Sequence, residues 1–261
     1  MAYEVSGSGQ PLVLLPGGLT GWISWIPHAE ALAGSWKVIR LQLNSVALGL
    51  TGALLPPEYS TEYEVTSLHK ILDALAIEGA DFAGWSYGAQ IALSFAIHNP
   101  DRVRSLTLVE PDAYWILRKR GLLPQHVLDE QRHFQTLAKD DISEAELIAF
   151  LHFIGVPADV DPRTLSQWPI WMEHRQSLRI GNAPFQHDDS IELVRAFEKP
   201  VLLVKGEGSN PDLHSGIDVL AEELPDARVI TLPGGHSPHI VSMETFLARL
   251  TGFLSERNGE Q

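Results

Sequence analysis

Residues 80–100 read ADFAGWSYGAQIALSFAIHNP, and they contain the pattern G-x-S-x-G at positions 84–88. A short apolar run precedes the pattern, and the residues after it repeat apolar side chains with helical spacing. A serine on so tight a strand-to-helix turn keeps its hydroxyl exposed, while the flanking glycines let neighbouring backbone approach closely. The free N–H groups of the following helix favour negative charge at that point. This context predicts that Ser86 is a nucleophile, whereas the bare pattern would indicate only a glycine-rich turn.

Short apolar runs alternate with helical patterns along much of the chain. This alternation predicts a parallel sheet with helices on both faces, and the nearly continuous Val and Leu character predicts strands buried on both sides. The first residues, on either side of a Gly-Ser-Gly turn, read as two short strands. The predicted strands are 12–15, 38–41, 81–84, 105–109, 201–204 and 228–232, and the Val and Leu character belongs to 12–15, 105–109 and 201–204. The predicted helices are 61–78, 88–98, 213–224 and 242–255.

The alternation stops between residues 113 and 197. Helical patterns and turn residues occur there without a convincing buried strand. A segment of this length is too long for a simple loop, so we expect a helical lid. The chain would then consist of a core formed by 1–112 and 198–261 with a lid at 113–197, all in one structural unit.

Composition limits the chemistry and the partners. The 261 residues include 33 acidic and 19 basic side chains and no cysteine, for a net charge of -14. Cysteine nucleophiles, disulfides and thiolate zinc sites are therefore excluded. Nucleic acid and anionic membranes are poor partners for such a charge. We expect a cytoplasmic protein that acts on a small molecule without a cofactor or metal, with a homodimer left open.

A serine hydroxyl needs a base within hydrogen-bond reach, and eleven histidines compete for that role. His236 follows Pro-Gly-Gly directly after the run 228–232, at the end of a predicted strand. His239 is its nearest rival, but it stands at the start of the terminal helix, where packing or capping is the ordinary role. The sequence therefore favours His236.

The serine turn and three further segments resemble the α/β-hydrolase superfamily over essentially the whole chain. VLLPGGLTGWISW (13–25) resembles the loop after the family's third strand, NPDRVRSLTLVEP (99–111) the segment leading into its sixth, and VITLPGGHSPHI (229–240) the histidine loop after its eighth. The resemblance implies Ser86 as nucleophile and His236 as base. It also implies an oxyanion hole formed by the backbone N–H groups of Gly18 and Tyr87.

The acid that orients the base departs from the family's commonest pattern. Most members carry an aspartate shortly after the seventh strand, where this chain has Ser209 and Asn210, and neither can balance the charge of an imidazolium. A second location in the superfamily is the end of the sixth strand, as in some haloalkane dehalogenases and zearalenone-lactone hydrolases. Glu110 stands at that place and is the predicted acid, with Asp112 and Asp212 as alternatives.

Seven tryptophans stand in the chain, and their positions suggest substrate contacts. Trp22 follows the oxyanion loop, while Trp115, Trp168 and Trp171 lie in the predicted lid. Large rigid aromatic side chains around a cleft suit a bulky apolar or aromatic substrate. The alternative is that they only pack the lid onto the sheet.

Hydrolysis of a carboxylic ester or lactone through an acyl-enzyme is the function this pattern favours. A serine at position 86 argues against dehalogenases and epoxide hydrolases of the same fold, which need a carboxylate there. Cleavage of amides or of carbon–carbon bonds stays open. Two other functions also stay open, because proteins of this fold that perform them can keep the same residues. One is a cofactor-free dioxygenase or hydroxynitrile lyase, and the other is a ligand receptor without turnover.

Overall fold

A computed structural model describes residues 1–137, 141–181 and 183–258. Within these residues seven strands form one sheet in the order β1-β3-β2-β4-β5-β6-β7. All neighbouring strands run parallel except β1, which pairs antiparallel with β3. The strands are β1 (Ala2–Ser6), β2 (Gln10–Leu15), β3 (Trp36–Gln42), β4 (Ala80–Trp85), β5 (Val103–Val109), β6 (Val201–Gly206) and β7 (Ala227–Leu232).

Helices cover both faces of the sheet, as the alternating pattern predicts. They are α1 (Ile26–Leu32), α2 (Asn44–Leu50), α3 (Thr61–Ala74), α4 (Tyr87–His98), α5 (Tyr114–Lys119), α6 (Gln125–Leu137), α7 (Glu144–Phe153), α8 (Trp168–His174), α9 (Ala183–Gln186), α10 (Ile191–Arg195), α11 (Pro211–Glu223), α12 (Pro238–Val241) and α13 (Met243–Asn258). Short 3-10 turns lie at Gly21–Trp25, Pro100–Arg102, Pro162–Thr164 and Arg175–Ile180.

Successive side chains of β2 enter two different apolar clusters, because neighbouring residues of a strand point to opposite faces. Val13 and Leu15 pack in a cluster that includes residues of α3, α4 and α11. Leu12 and Leu14 pack in a second cluster with residues of α1 and α13. The predicted burial of the strands at 12–15, 105–109 and 201–204 is therefore confirmed, whereas β7 at the edge of the sheet is largely exposed. The family's third to eighth strands correspond to β2 through β7 here.

Helix α3 ends earlier than predicted. The apolar spacing extends to residue 78, but the helix stops at Ala74 and Ala76 has a φ of 50°. The Ile77 N–H then bonds back to the Leu72 carbonyl, as in helices closed by a left-handed residue. Glycine usually occupies that position, so an alanine there carries no sequence signal of the helix end.

Helix α2 occupies NSVALGL (Asn44–Leu50), a stretch for which the sequence predicts no element. The buried Glu64 carboxylate of α3 accepts hydrogen bonds from the N–H groups of Asn44 and Ser45 and so satisfies the free donors at the start of α2. A Cβ on Gly49 would come within 2.6 Å of the Ser177 nitrogen. This close approach packs α2 against the segment that follows β5.

The segment between β5 and β6 consists of helices and turns throughout its described residues, and we refer to residues 113–197 as the insertion. The Arg118 guanidinium of α5 donates to the carbonyls of Phe185 and His187. The buried His187 ring lies 2.7 Å from an Asp189 carboxylate oxygen and 3.1 Å from Glu62 in α3. The Arg118 and Asp189 contacts brace the insertion internally, and the pair of His187 with Glu62 fastens it to the core.

No helix within the described ranges combines the length and the apolar character that a bilayer crossing requires.

We expect the charge on His187 to stabilise the fold in a pH-dependent way. Burial lowers the pKa of its ring, but the hydrogen bonds to Asp189 and Glu62 outweigh burial and raise that pKa to about 9, from 6.5. The stabilisation is therefore complete below pH 6.5 and is lost as the pH rises through 9. Pairing with His187 lowers the pKa of Glu62 from 4.5 to about 2, so the contribution of Glu62 is complete above pH 4.5 and is lost as the pH falls towards 2.

His187→Gln should lower the free energy of unfolding by about 2–4 kcal/mol near neutral or mildly acidic pH, because Asp189 then stays buried without its cation. Urea unfolding of the wild type and the variant at about pH 5.5 and about pH 9.5 measures the effect. The difference between the two proteins should shrink at the higher pH. An equal difference at both pH values would contradict the role of the charge.

Candidate functional site

The register of the parallel strands places the carboxyl ends of four strands at one edge of the sheet. Trp85 pairs with Val109, Val109 with Val204, and Gly206 with Leu232. The residues that follow these strands therefore emerge side by side. In open α/β sheets, ligands bind at this carboxyl edge.

Ser86 stands on the turn between β4 and α4 in a strained conformation, with φ 54° and ψ -124°. A Cβ on Gly84 would lie 2.6 Å from the Ala89 Cα, and a Cβ on Gly88 would lie 2.3 Å from the Pro16 carbonyl oxygen. Both positions require glycine, because another stretch of backbone passes too close for a side chain to fit. The turn has the geometry that the sequence pattern predicts.

His236 faces Ser86 across the edge of the sheet. Its Nε2 lies 2.8 Å from the Ser86 Oγ, a hydrogen-bond distance. The Trp85 indole N–H donates to the His236 carbonyl over 2.6 Å. A Cβ on Gly206 would lie 2.0 Å from the Gly235 carbonyl oxygen, so the histidine loop rests directly on the end of β6.

Glu110 is fully buried directly after β5, and its φ of 45° is a left-handed conformation that a side chain rarely adopts. Its carboxylate accepts a hydrogen bond from the Gly206 N–H over 2.6 Å and another from the Ser209 hydroxyl. One carboxylate oxygen lies 3.6 Å from the His236 Nδ1. This separation is longer than the hydrogen bond of ~3 Å that we expected, although such contacts commonly tighten when substrate binds.

The other two carboxylates occupy different places. Asp212, at the start of α11, pairs with His126 at 2.5 Å. Asp112 is half-buried and lines the pocket above Ser86. Glu110 is therefore the carboxylate nearest to His236 among the three, as its position at the strand end predicts.

The two residues expected to form the oxyanion hole both lie at the pocket. Gly18 and Tyr87 line it together with Ser86. Tyr87 is the first residue of α4, where backbone N–H groups have no partner within the helix. Gly18 comes close to Tyr87, since a Cβ on the glycine would lie 3.7 Å from the Tyr87 Cβ.

The pocket above Ser86 has an empty volume of about 510 Å³, which includes the solvent at its open mouth. Nine of the thirteen lining residues in the described part of the chain belong to the insertion, so the insertion forms most of the described wall. Its aromatic lining residues are Tyr114, Phe150, Phe153 and Phe185 from the insertion and Tyr87 from the core.

The prediction that tryptophans line this pocket is wrong, since none of them is among its lining residues. Trp115 is fully buried with its ring edge towards His187. Trp168 and Trp171 pack against the large core cluster, and Trp22 lies under the Arg40 guanidinium. These rings hold the insertion and the oxyanion loop in place, and phenylalanines and tyrosines supply the apolar surface that we had expected from them.

His239 is fully buried among aromatic rings, 4.6 Å from Trp25 and 4.8 Å from Trp85 between ring centres. Burial lowers the pKa of its ring well below 6.5, so the ring stays neutral. It therefore packs, as expected, and does not face Ser86. Within the described ranges, no group of three or more acidic or histidine side chains is placed to hold a metal ion.

Comparison with known proteins agrees with this geometry. A family model described as the alpha/beta hydrolase fold matches residues 10–242. The chain belongs to the α/β-hydrolase family. RutD of Azorhizobium caulinodans, to which carbamate hydrolase activity is attributed, is 29% identical over 97% of this chain and 94% of its own length.

Two further relatives of this α/β-hydrolase family member are an esterase and a lactonase. The pimeloyl-acyl-carrier-protein methyl ester esterase of Nitrosomonas europaea is 25% identical over 94% of this chain and 96% of its own. The crystal structure of the enol-lactonase from Burkholderia xenovorans LB400 has a TM-score of 0.75 and 17% identity, over 97% of this chain and 96% of that one. At that identity the likeness concerns the fold alone.

Several residues of the site carried little sequence signal. In the sequence, Ser209 only marks the place where the usual aspartate is missing. In the structure its hydroxyl donates a hydrogen bond to Glu110. The sequence suggests Asp112 only as an alternative acid to orient His236, whereas in the structure it lines the pocket. Phe150 and Phe153 stand three residues apart on α7, a spacing that equally fits packing against the sheet.

The close approach at Gly88 predicts a difference between two helical glycines. Gly88→Ala should destabilise the fold by about 1–3 kcal/mol or more, because the new methyl group collides with the Pro16 carbonyl. Gly252→Ala, in the exposed part of α13 where a Cβ meets nothing within 4 Å, should stabilise it by about 0.5–1 kcal/mol. Thermal and urea unfolding of both variants give the comparison. Equal shifts of the same sign would contradict the steric explanation.

Proposed function

We propose that this chain is a serine hydrolase that cleaves a carboxylic ester or lactone of an apolar substrate through an acyl-enzyme. The observation that carries the proposal is the 2.8 Å contact between the His236 Nε2 and the Ser86 Oγ at the floor of an apolar pocket. A serine becomes a nucleophile at neutral pH when a base can take its proton.

In the proposed reaction, the Ser86 Oγ attacks the substrate carbonyl carbon while His236 takes the hydroxyl proton. The negative charge that forms on the carbonyl oxygen is stabilised by the backbone N–H groups of Gly18 and Tyr87. His236 then gives its proton to the leaving alcohol, and the carbon–oxygen bond breaks. Water attacks the acyl-enzyme by the same route, with His236 again as base, and releases the acid and Ser86.

Glu110 is proposed as the positioning residue for His236. Its buried carboxylate is held by the Gly206 N–H and the Ser209 hydroxyl, and it stands 3.6 Å from the imidazole nitrogen that faces away from Ser86. A negative charge at this place stabilises the imidazolium that forms during the reaction. The left-handed backbone at Glu110 supports this role, since strain of this kind clusters at functional sites.

The insertion is proposed as the lid of the site. It contributes most of the pocket wall, including three phenylalanines. An apolar cover excludes water and strengthens the electrostatic contacts that stabilise the transition state. No lysine or arginine is among the described residues that line the pocket, which makes strongly anionic substrates poor candidates.

Ser86→Ala should abolish labelling by a fluorophosphonate and lower ester hydrolysis by about 10³-fold or more, because the nucleophile and base act as one unit. The measurement uses a panel of esters, lactones and carbamates of varied acyl size. Carbamates belong in it because of the activity attributed to the relative RutD. His236→Ala should cost about as much as the loss of the serine.

His239→Leu is the matched histidine control. Its ring nitrogens have no hydrogen-bond partner in the described structure, so an apolar side chain of similar volume should keep turnover within about tenfold. Turnover of esters by Ser86→Ala at the wild-type rate would reject the covalent mechanism. Oxygen uptake with a heteroaromatic substrate, or tight ligand binding without turnover, would favour the dioxygenase or the receptor instead.

Glu110→Gln should keep the fold and lower kcat by about 10²- to 10⁴-fold, because an amide holds the ring without stabilising its positive charge. Substrate affinity should change little, so KM separates this effect from damage to the pocket. Glu207→Gln, which removes one exposed charge from the loop after β6, is the matched control and should leave kcat within about twofold. Equal losses in the two variants would show that Glu110 does not act on His236.

A further inference from the structure

Asp112 is a carboxylate in an apolar pocket without a partner of its own. Among the described residues that line the pocket, it is the one with a charged side chain. No described group donates a hydrogen bond to this carboxylate, and no side-chain cation lies within 4 Å of it. Apolar surroundings disfavour the charged form of this carboxyl group, and a ligand of positive charge would offset that cost.

The position of Asp112 connects it with the reacting atoms. Its backbone N–H lies 3.5 Å from the Ser86 carbonyl oxygen, so the two residues are neighbours at the carboxyl edge of the sheet. Asp112 also lines the cavity where the substrate would lie. A substrate whose carbonyl reaches Ser86 must therefore pass close to this carboxylate.

Three aromatic rings of the same pocket form a continuous surface. Tyr114 stacks on Phe185 with ring centres 5.2 Å apart, and Phe153 lies 6.2 Å from each of them. All three line the cavity with Asp112. Aromatic rings beside a carboxylate suit an alkylammonium group, because the rings attract its positive charge while they contact its methyl groups.

The electrostatic surroundings favour a cation over a neutral group. Burial raises the pKa of the Asp112 carboxyl to about 6, a charge on His236 lowers it, and the charge on Glu110 raises it. The carboxylate is therefore mostly ionised above pH 7, where a bound cation would stabilise it further. The chain as a whole carries a net charge of -14, which attracts cations towards the site.

We infer that Asp112, with the rings of Tyr114, Phe153 and Phe185, selects substrates that carry an alkylammonium group near the scissile carbonyl. This inference rests on the proposed hydrolase function of the same pocket. It assigns Asp112 a role in specificity, separate from the positioning of His236 by Glu110.

Three esters of one acid, with alcohols of nearly equal shape, test the inference. They are the choline ester, its neutral 3,3-dimethylbutyl counterpart and the 3-hydroxy-3-methylbutyl ester. We expect kcat/KM to be at least about 10-fold higher for the choline ester than for the neutral one. Asp112→Asn should reduce this ratio to about 1–2, whereas Glu207→Gln, which removes an exposed charge outside the pocket, should leave it unchanged.

The ratio of the two kcat/KM values also cancels any effect of pH on the chemical step, which affects both esters alike. The charged and titratable groups that face Asp112 are His236, Glu110 and Tyr114. The wild-type preference for the choline ester should fall as the pH drops through about 6, where Asp112 takes up a proton. In Asp112→Asn the ratio should not change with pH.

Measurements of ligand binding test this inference independently of hydrolysis. Choline and 3,3-dimethylbutanol are titrated calorimetrically into Ser86→Ala with and without Asp112→Asn. Preference for choline that disappears with the second substitution supports the inference, even if no ester is turned over. Equal binding of both alcohols, or equal hydrolysis of the choline and dimethylbutyl esters, overturns it while the hydrolase function stands. A preference for the hydroxyl ester over both others would also overturn it, since Asp112 would then accept a neutral donor.

Discussion

The strained turn at Ser86 is the constraint on which the rest of the site depends. Its left-handed φ of 54° holds the hydroxyl above the end of β4, and the crossing of backbone at Gly84 and Gly88 makes this turn possible. The same tight turn sends α4 away from the sheet with its first N–H groups beside the serine. The proposed nucleophile Ser86 and the proposed oxyanion donor Tyr87 therefore share one origin, because a single piece of backbone geometry places both.

A second close approach completes the site from the other side. The absence of a side chain at Gly206 allows the histidine loop to rest on β6, while the Gly206 N–H holds the Glu110 carboxylate. Trp85, next to the nucleophile, binds the carbonyl of His236. The proposed base, acid and nucleophile are thus linked through backbone groups as well as through their side chains. Groups fixed in this way need little rearrangement during the reaction, which is how a preorganised site lowers a barrier.

The pocket divides its tasks between the core and the insertion. The core supplies the polar atoms, with Ser86 directly after β4 and Asp112 in the loop that follows β5. The insertion supplies apolar rings and is fastened to the core by the pairs of His187 with Glu62 and of Asp189 with His98. Shape and polarity are therefore set by different parts of the chain. A change in the insertion can alter which substrate fits without moving the atoms that carry out the chemistry.

Local sequence alone determined the fold class, the serine turn and the loop that carries His236, because apolar period and glycine spacing act over a few residues. Glu110 could be named from its place at a strand end, although its distance from His236 could not. Only the tertiary structure decided that Ser209 supports Glu110, that Asp112 faces the pocket, and that phenylalanines rather than tryptophans line it. The reason is physical: Ser209 and Glu110 are far apart in sequence, and an apolar helical face has the same pattern whether it covers a sheet or a cavity.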